Sequence, residues 1–109
     1  MKKTLIKIIE AGGQMSNSKK QSGKFSVIIR TKNEEKWIVR CLDAVFSQKV
    51  DAEIEVILVD NESTDGTINV AERFPISKVV TINDYLPGKA LGAGIRESTG
   101  DYIVCLSAH

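Results

Sequence analysis

The chain has 109 residues, and its fifteen Lys and Arg nearly cancel its fourteen Asp and Glu, for a formal charge of +1. That length buries one core, since domains commonly run to about 100–150 residues. The charge balance excludes a general nucleic-acid binder, whose footprint is basic, and no run approaches the ~20 apolar residues of a membrane span.

Residues 1–24 differ in composition from the rest and read as an N-terminal tail and linker. Met1 to Ala11 places Leu5, Ile8 and Ile9 on one side of a short helix. Such a helix would dock on a partner or make a peripheral contact with a membrane surface; otherwise the segment is a loose tail. Lys7 interrupts its apolar run, which is too short for a secretory signal. A cytoplasmic protein is expected, with the inner membrane face as the alternative. Gly12 to Lys24 has linker composition.

From Phe25 the pattern is regular. Phe25 to Arg30 reads as a strand. Glu34 to Gln48 reads as a helix, with Trp37, Ile38, Cys41, Leu42, Val45 and Phe46 on one apolar stripe. Asn33 fits its N-cap, and Glu34 and Glu35 suit the positive end of its dipole. Glu53 to Asp60 is a second strand, apolar enough to be buried on both faces. Asp65 to Phe74 is a helix stopped by Pro75, with Ser63, Thr64 and Asp65 as its capping residues. Ser77 to Ile82 is a third strand. Gly88 to Ser98 is a helix in which Gly92 and Gly94 allow close packing, with Gly100 at its C′ position. Asp101 to Leu106 is a fourth strand. Cys41 and Cys105 fall on apolar faces without metal-type spacing, so two buried thiols are expected rather than a disulfide.

Strands alternating with helices specify an α/β, Rossmann-like fold. The sheet is mostly parallel, of about four strands, with helices on both faces. Parallel strands end at one edge, and ligands bind outside the carboxyl ends of such strands. Thr31, Lys32, Asn33 and Glu34 follow the first strand, and Asp60 and Asn61 the second. Asn83, Asp84 and Tyr85 follow the third, and Ser107, Ala108 and His109 the fourth. The fold therefore gathers four polar groups around one crevice. Lys89 sits at a helix start, where free N–H groups already favour phosphate.

Three segments, IIRTKNEEKWI, VILVDNESTDGT and GKALGAGIRESTGDYIVCLSAH, carry a resemblance in this order and spacing. They resemble the start of a family 2 glycosyltransferase of the GT-A fold, whose usual forms are close to SVIIPTYNEE, IIVDDGSTDGT and GxYIxFLDADD. The resemblance covers residues 25–109 and implies a truncated nucleotide-sugar-binding domain. It implies a nucleoside-diphosphate sugar as donor and an acceptor saccharide or lipid in the complete enzyme.

By the same resemblance Thr31 and Glu34 flank the nucleoside, and Asp60 accepts from the base ring N–H. Asn61 stands where a second Asp is commoner. Asn33, Asp84 and Lys89 complete the expected nucleotide-sugar set, with Lys89 near the diphosphate. The family's Asp-x-Asp, which holds Mn²⁺ or Mg²⁺, aligns with Ser107-Ala108-His109, leaving His109 as the remaining metal-ligand type. The resemblance thus implies a divalent metal, Mn²⁺ or Mg²⁺, while the carboxylates that usually hold it are replaced here. No residue matches the catalytic base, which would lie beyond His109, so the fragment is expected to bind donor and turn over nothing. The alternative is a non-catalytic nucleotide-binding or interaction module of the same fold.

Overall fold

In the computed structural model the described residues are 4–10, 23–48, 52–83 and 87–107. Their elements are β1 (Thr4–Glu10), β2 (Lys24–Thr31), α1 (Glu35–Phe46), β3 (Glu53–Asp60), α2 (Thr67–Ala71), β4 (Lys78–Thr81), α3 (Pro87–Glu97) and β5 (Tyr102–Ser107). The strands form one sheet in the order β1-β5-β2-β3-β4, and every ladder is parallel. This is the expected α/β architecture with one strand more.

Alternation along the strands decides the layers. Val27 and Ile29 of β2, Val56 and Leu58 of β3, and Val104 and Leu106 of β5 pack with Ile38, Cys41, Leu42 and Val45 of α1 and Ala71 of α2. The intervening residues Ile28, Ile57, Val59, Ile103 and Cys105 pack with Ala90 and Ala93 of α3. A strand buried on both faces needs a continuous apolar run, which β2, β3 and β5 supply. Each fully buried Leu or Ile contributes about 1.5–3 kcal/mol by leaving water.

The chain steps from β2 to β3 to β4 with α1 and α2 on one face. It then returns to β5, on the other side of β2, through α3 on the opposite face. The order therefore reverses between β2 and β5, and open α/β sheets bind their ligands outside the carboxyl ends of the strands at such a switch.

Several elements differ from the sequence expectation. The segment assigned to a short N-terminal helix is strand β1, paired with β5 from Thr4↔Tyr102 to Glu10↔Ser107. The flank of β5 offers a row of backbone groups, and β-branched Ile6, Ile8 and Ile9 favour the extended form that pairs with it. Helix α2 is one turn long, because i→i+3 bonds from Arg73 to Val70 (3.1 Å) and from Phe74 to Ala71 (3.0 Å) tighten it before Pro75. Gly100 does not cap α3, which ends at Glu97. It lies against β2, where a Cβ would strike the side chain and N of Ser26 and come within 2.9 Å of the Lys24 carbonyl. Gly94 fits its expected role, since a Cβ there would lie 2.5 Å from Cγ2 of Ile28. Gly92 faces no such crowding.

A polar network closes the amino edge of the sheet. Glu55 accepts from Ser26 Oγ (2.6 Å) and from the N–H and Oγ1 of Thr99 (2.8 and 2.9 Å). Ser26 Oγ accepts the Gly100 N–H at 2.8 Å, and Lys24 Nζ stands 3.5 Å from Glu55. Burial alone would push the Glu55 carboxyl up; these donors and Lys24 outweigh it and hold the group below the usual glutamate range. Both cysteines are free and buried, as expected. Burial, then the negative Glu34, pushes the Cys41 thiol up to about 11. Among the described residues no helix is long and apolar enough to cross a membrane.

Candidate functional site

Thr31 and Asp60 are register partners at the carboxyl ends of β2 and β3. Thr31 Oγ1 donates to Asp60 Oδ1 at 2.6 Å. Ser63 Oγ donates to the same oxygen at 2.6 Å, and the Ser63 N–H donates to Oδ2 at 2.8 Å. Asp60 is 0% exposed and Thr31 3%. A buried carboxylate is tolerated here because three donors satisfy it. Asn61, next along, is half-buried. Its N–H donates to the Thr31 carbonyl at 2.9 Å, and its carboxamide makes no hydrogen bond among the described residues.

The two loops that follow these strands are bound to each other. Asn33 adopts the left-handed conformation, φ 51°, which asparagine tolerates better than most residues. Its N–H donates to Ser63 Oγ at 2.8 Å, and its Oδ1 accepts the N–H groups of Thr64 (2.7 Å) and Asp65 (3.3 Å). Asn33 therefore does not cap α1; Glu34 holds the N-cap position, without a side-chain cap. The free N–H groups at the start of α1 are met from the other loop instead. Glu34 N–H donates to Thr67 Oγ1 at 2.8 Å, and Glu35 N–H to Asp65 Oδ2 at 3.2 Å. In return Glu35 Oε1 accepts the N–H of Gly66, the N-cap of α2, at 2.8 Å.

Of the three residues expected to cap α2, only Asp65 acts near that end. It accepts the Thr67 N–H at 3.0 Å and the Thr67 hydroxyl. That hydroxyl, with the N–H groups of Thr67 and Glu35, holds the Asp65 carboxyl below the usual range against its partial desolvation. Ser63 is turned inward to Asp60, and Thr64 is held by Asn33. Glu62 also lies in the left-handed region, φ 49°. The usual family form has glycine there, where that conformation is unstrained. Lys32 Nζ donates to its carbonyl at 3.3 Å.

Lys89 is exposed in the first turn of α3, which begins at the same edge a few residues after β4. The structure thus brings Thr31, Asn33, Glu34, Asp60 and Asn61 together and places Lys89 at the same sheet edge. Asp84 and His109 lie outside the described residues. No group of three His, Cys, Asp or Glu converges among the described residues. Sequence reasoning missed Ser63, Glu35 and Thr67 as fasteners between loops. Ser63 looked like a local cap and Glu35 like a first-turn helix charge, because the partner loop is about thirty residues away.

A parallel α/β sheet with polar residues gathered at the carboxyl ends of its strands has the ligand-binding edge of open α/β folds, and comparison with known proteins narrows the class. The model of a family described as Glycosyl transferase family 2 matches residues 26–109. The chain is 34% identical over 91 residues to a dolichyl N-acetyl-alpha-D-glucosaminyl phosphate 3-beta-D-2,3-diacetamido-2,3-dideoxy-beta-D-glucuronosyltransferase of Methanococcus voltae, covering 77% of this chain and 28% of that protein. It is 33% identical over 88 residues to the poly(ribitol-phosphate) beta-N-acetylglucosaminyltransferase TarS of Staphylococcus aureus, covering 74% of this chain and 15% of that one. The crystal structure of S. aureus TarS residues 1–349 in complex with UDP superposes with a TM-score of 0.71 at 30% identity, over 78% of this chain and 27% of that one. A mannosyltransferase of Pyrobaculum calidifontis in complex with GDP-Man and Mn²⁺ gives 0.66 at 29%, over 81% of this chain and 28% of that one.

The chain belongs to glycosyltransferase family 2, and its fold is α/β of the GT-A type. It spans between about one seventh and just over one quarter of the length of these relatives.

Proposed function

We propose that this domain binds the nucleoside diphosphate of a sugar donor, as the donor-binding part of an inverting glycosyltransferase. The observation that carries the reading is the Thr31–Asp60 pair at the carboxyl ends of β2 and β3, beside the switch to β5, with the two loops that follow these strands locked to each other. Thr31, Asn33, Glu34, Asp60 and Asn61 form the nucleoside side of the crevice. Lys89 and the exposed start of α3 offer charge and N–H groups to the diphosphate. Asp84 belongs to the same proposed set by its position in the sequence, and His109 is the residue of metal-ligand type that follows β5 in the sequence. The UDP and GDP-Man complexes of similar proteins support nucleotide-sugar binding as the role of this fold.

In the proposed transfer an acceptor hydroxyl of a saccharide or lipid attacks the anomeric carbon. The new C–O bond forms on the face opposite the diphosphate, the old C–O bond breaks, and the nucleoside diphosphate leaves. The acceptor's proton passes to a base that no residue of this chain is assigned to supply, so the polypeptide alone binds donor without turnover. A divalent metal would neutralise the leaving diphosphate. Ser107 and His109 stand in the sequence where the family has two carboxylates, the oxygen ligands a hard cation prefers, so no step here runs through one. The same substitution favours a second reading, a nucleotide-binding module without catalysis.

Calorimetric titration of UDP and GDP into the full chain, with and without Mn²⁺, tests the proposal. Saturable binding of one nucleotide, weakened at least tenfold in Thr31→Ala, is expected. Absence of binding to either nucleotide would overturn it.

A further inference from the structure

Arg30 and Ser107 are register partners at the carboxyl ends of β2 and β5, the two strands that flank the switch. Both positions depart from the usual family form. Arg30 stands where SVIIPTYNEE has proline, and Ser107 stands where Asp-x-Asp begins. One departure adds a permanent positive charge, since a guanidinium stays protonated. The other removes a negative one, and His109 in place of the second Asp removes another. The gain and the first loss fall on paired positions of neighbouring strands.

Strand alternation puts Arg30 on the same face as Ile28, the face that α3 covers. Gly94 of α3 lies against the Ile28 side chain. Arg30 is two residues, about 6.6 Å, nearer the carboxyl edge. Four helical residues back from Gly94 span about 6 Å, so Arg30 is level with Ala90, in the first turn of α3 next to Lys89. Its charge is also felt on β5: burial pushes the Cys105 thiol up, and Arg30 opposes that. The half-buried Arg30 thus brings its charge to the part of the edge where β5 ends and α3 begins.

We infer that Arg30 binds the donor's diphosphate in the role that a divalent metal fills in the family, so that donor binding by this chain is independent of metal. The charge balance favours it. Two carboxylates offset a dication and leave nothing over, whereas the uncharged Ser107 and His109 leave the charge of Arg30 whole. A guanidinium repels a dication beside it, and its fork of N–H donors matches phosphate oxygens. The inference rests on the nucleotide-binding reading above and adds to it a residue outside that set.

Calorimetry on the full chain compares UDP with uridine and GDP with guanosine, in EDTA and in Mn²⁺. In EDTA the diphosphate that binds is expected to bind tighter than its nucleoside by about ten- to a hundredfold, the worth of charge-assisted hydrogen bonds. Mn²⁺ should leave that affinity unchanged. Arg30→Gln should remove most of the ratio, and Arg30→Lys, which keeps the charge, should retain part of it. A merely structural role would weaken nucleoside and diphosphate alike; an unchanged ratio in Arg30→Gln therefore overturns the inference. If that variant fails to fold, the native chain still decides: diphosphate binding lost in EDTA and restored by Mn²⁺ overturns this inference alone. Binding of neither nucleotide, with or without Mn²⁺, overturns it together with the reading it rests on.

Discussion

Glu35 and Gly66 tie the starts of two helices together across 31 residues of sequence: the carboxylate of Glu35 accepts the Gly66 N–H at 2.8 Å. Helix starts leave free N–H groups, and here each helix answers the other's. Glu35→Ala should therefore cost about 1 kcal/mol, the usual value of a lost cap. Glu35→Gln, which keeps an acceptor, should cost less. Urea denaturation measures both, and an alanine variant as stable as the native chain would remove the capping role.

Glu62 holds a backbone conformation that disfavours side chains. A left-handed residue with a Cβ costs roughly 1–2 kcal/mol, while glycine adds about 0.5–1 kcal/mol of unfolded-chain entropy. Glu62→Gly is expected to be neutral or stabilising by up to about 1 kcal/mol. Thermal denaturation followed by circular dichroism decides it; a clear drop in Tm would contradict the strain argument.

Glu55 links stability to pH. Its carboxyl is held below the ordinary value in the folded chain, so the unfolded chain binds the proton more readily. The stabilisation is complete above the ordinary glutamate pKa of about 4.3 and is lost as pH falls through the lower, folded value. Asp65 and Glu97 are depressed as well, so Glu55→Gln against the native chain isolates this share. The variant should be less stable at pH 7, and the gap should close below about pH 4. A gap of constant size from pH 7 to pH 3 would refute the linkage.

Gly94 and Gly100 both mark close approaches, but they differ in what can yield. Ala at position 94 presses on the Ile28 side chain, and overpacking of that kind costs typically about 1–3 kcal/mol. Ala at position 100 meets the backbone of β2 at Ser26 N and Lys24 O, and also breaks into the Ser26–Glu55 network. Gly100→Ala should be the more damaging of the two by chemical denaturation. The reverse order would mean that the start of β5 can shift.

Apolar runs made β2, β3 and β5 legible, because a strand buried on both faces has little freedom in composition. The stripe of Ile38, Cys41, Leu42 and Val45 made α1 legible in the same way. β1 was not, because its pairing partner is the far end of the chain and its own pattern suits a helix or a strand. At the site, the residue types at the strand ends were readable, since parallel strands place them at one edge. Their connections were not. Asn33 before a helix looks like a cap, and only the position of the second loop turns its carboxamide toward Thr64 and Asp65. Ser63 likewise follows a glutamate in an ordinary capping cluster, yet its hydroxyl serves Asp60.

The bonds that shape the crevice, from Asn33 to Ser63, Glu34 to Thr67 and Glu35 to Gly66, all join residues about thirty apart. No fragment containing only β2 and α1 has them. Closing such a separation costs entropy before any bond returns it, and contacts of long range slow folding. Helix α1 can gather its apolar stripe early, but the crevice comes into being only when β3 docks in register beside β2. During refolding, helical signal should therefore return ahead of ligand binding, and the interval between them measures the time the chain takes to align those two strands.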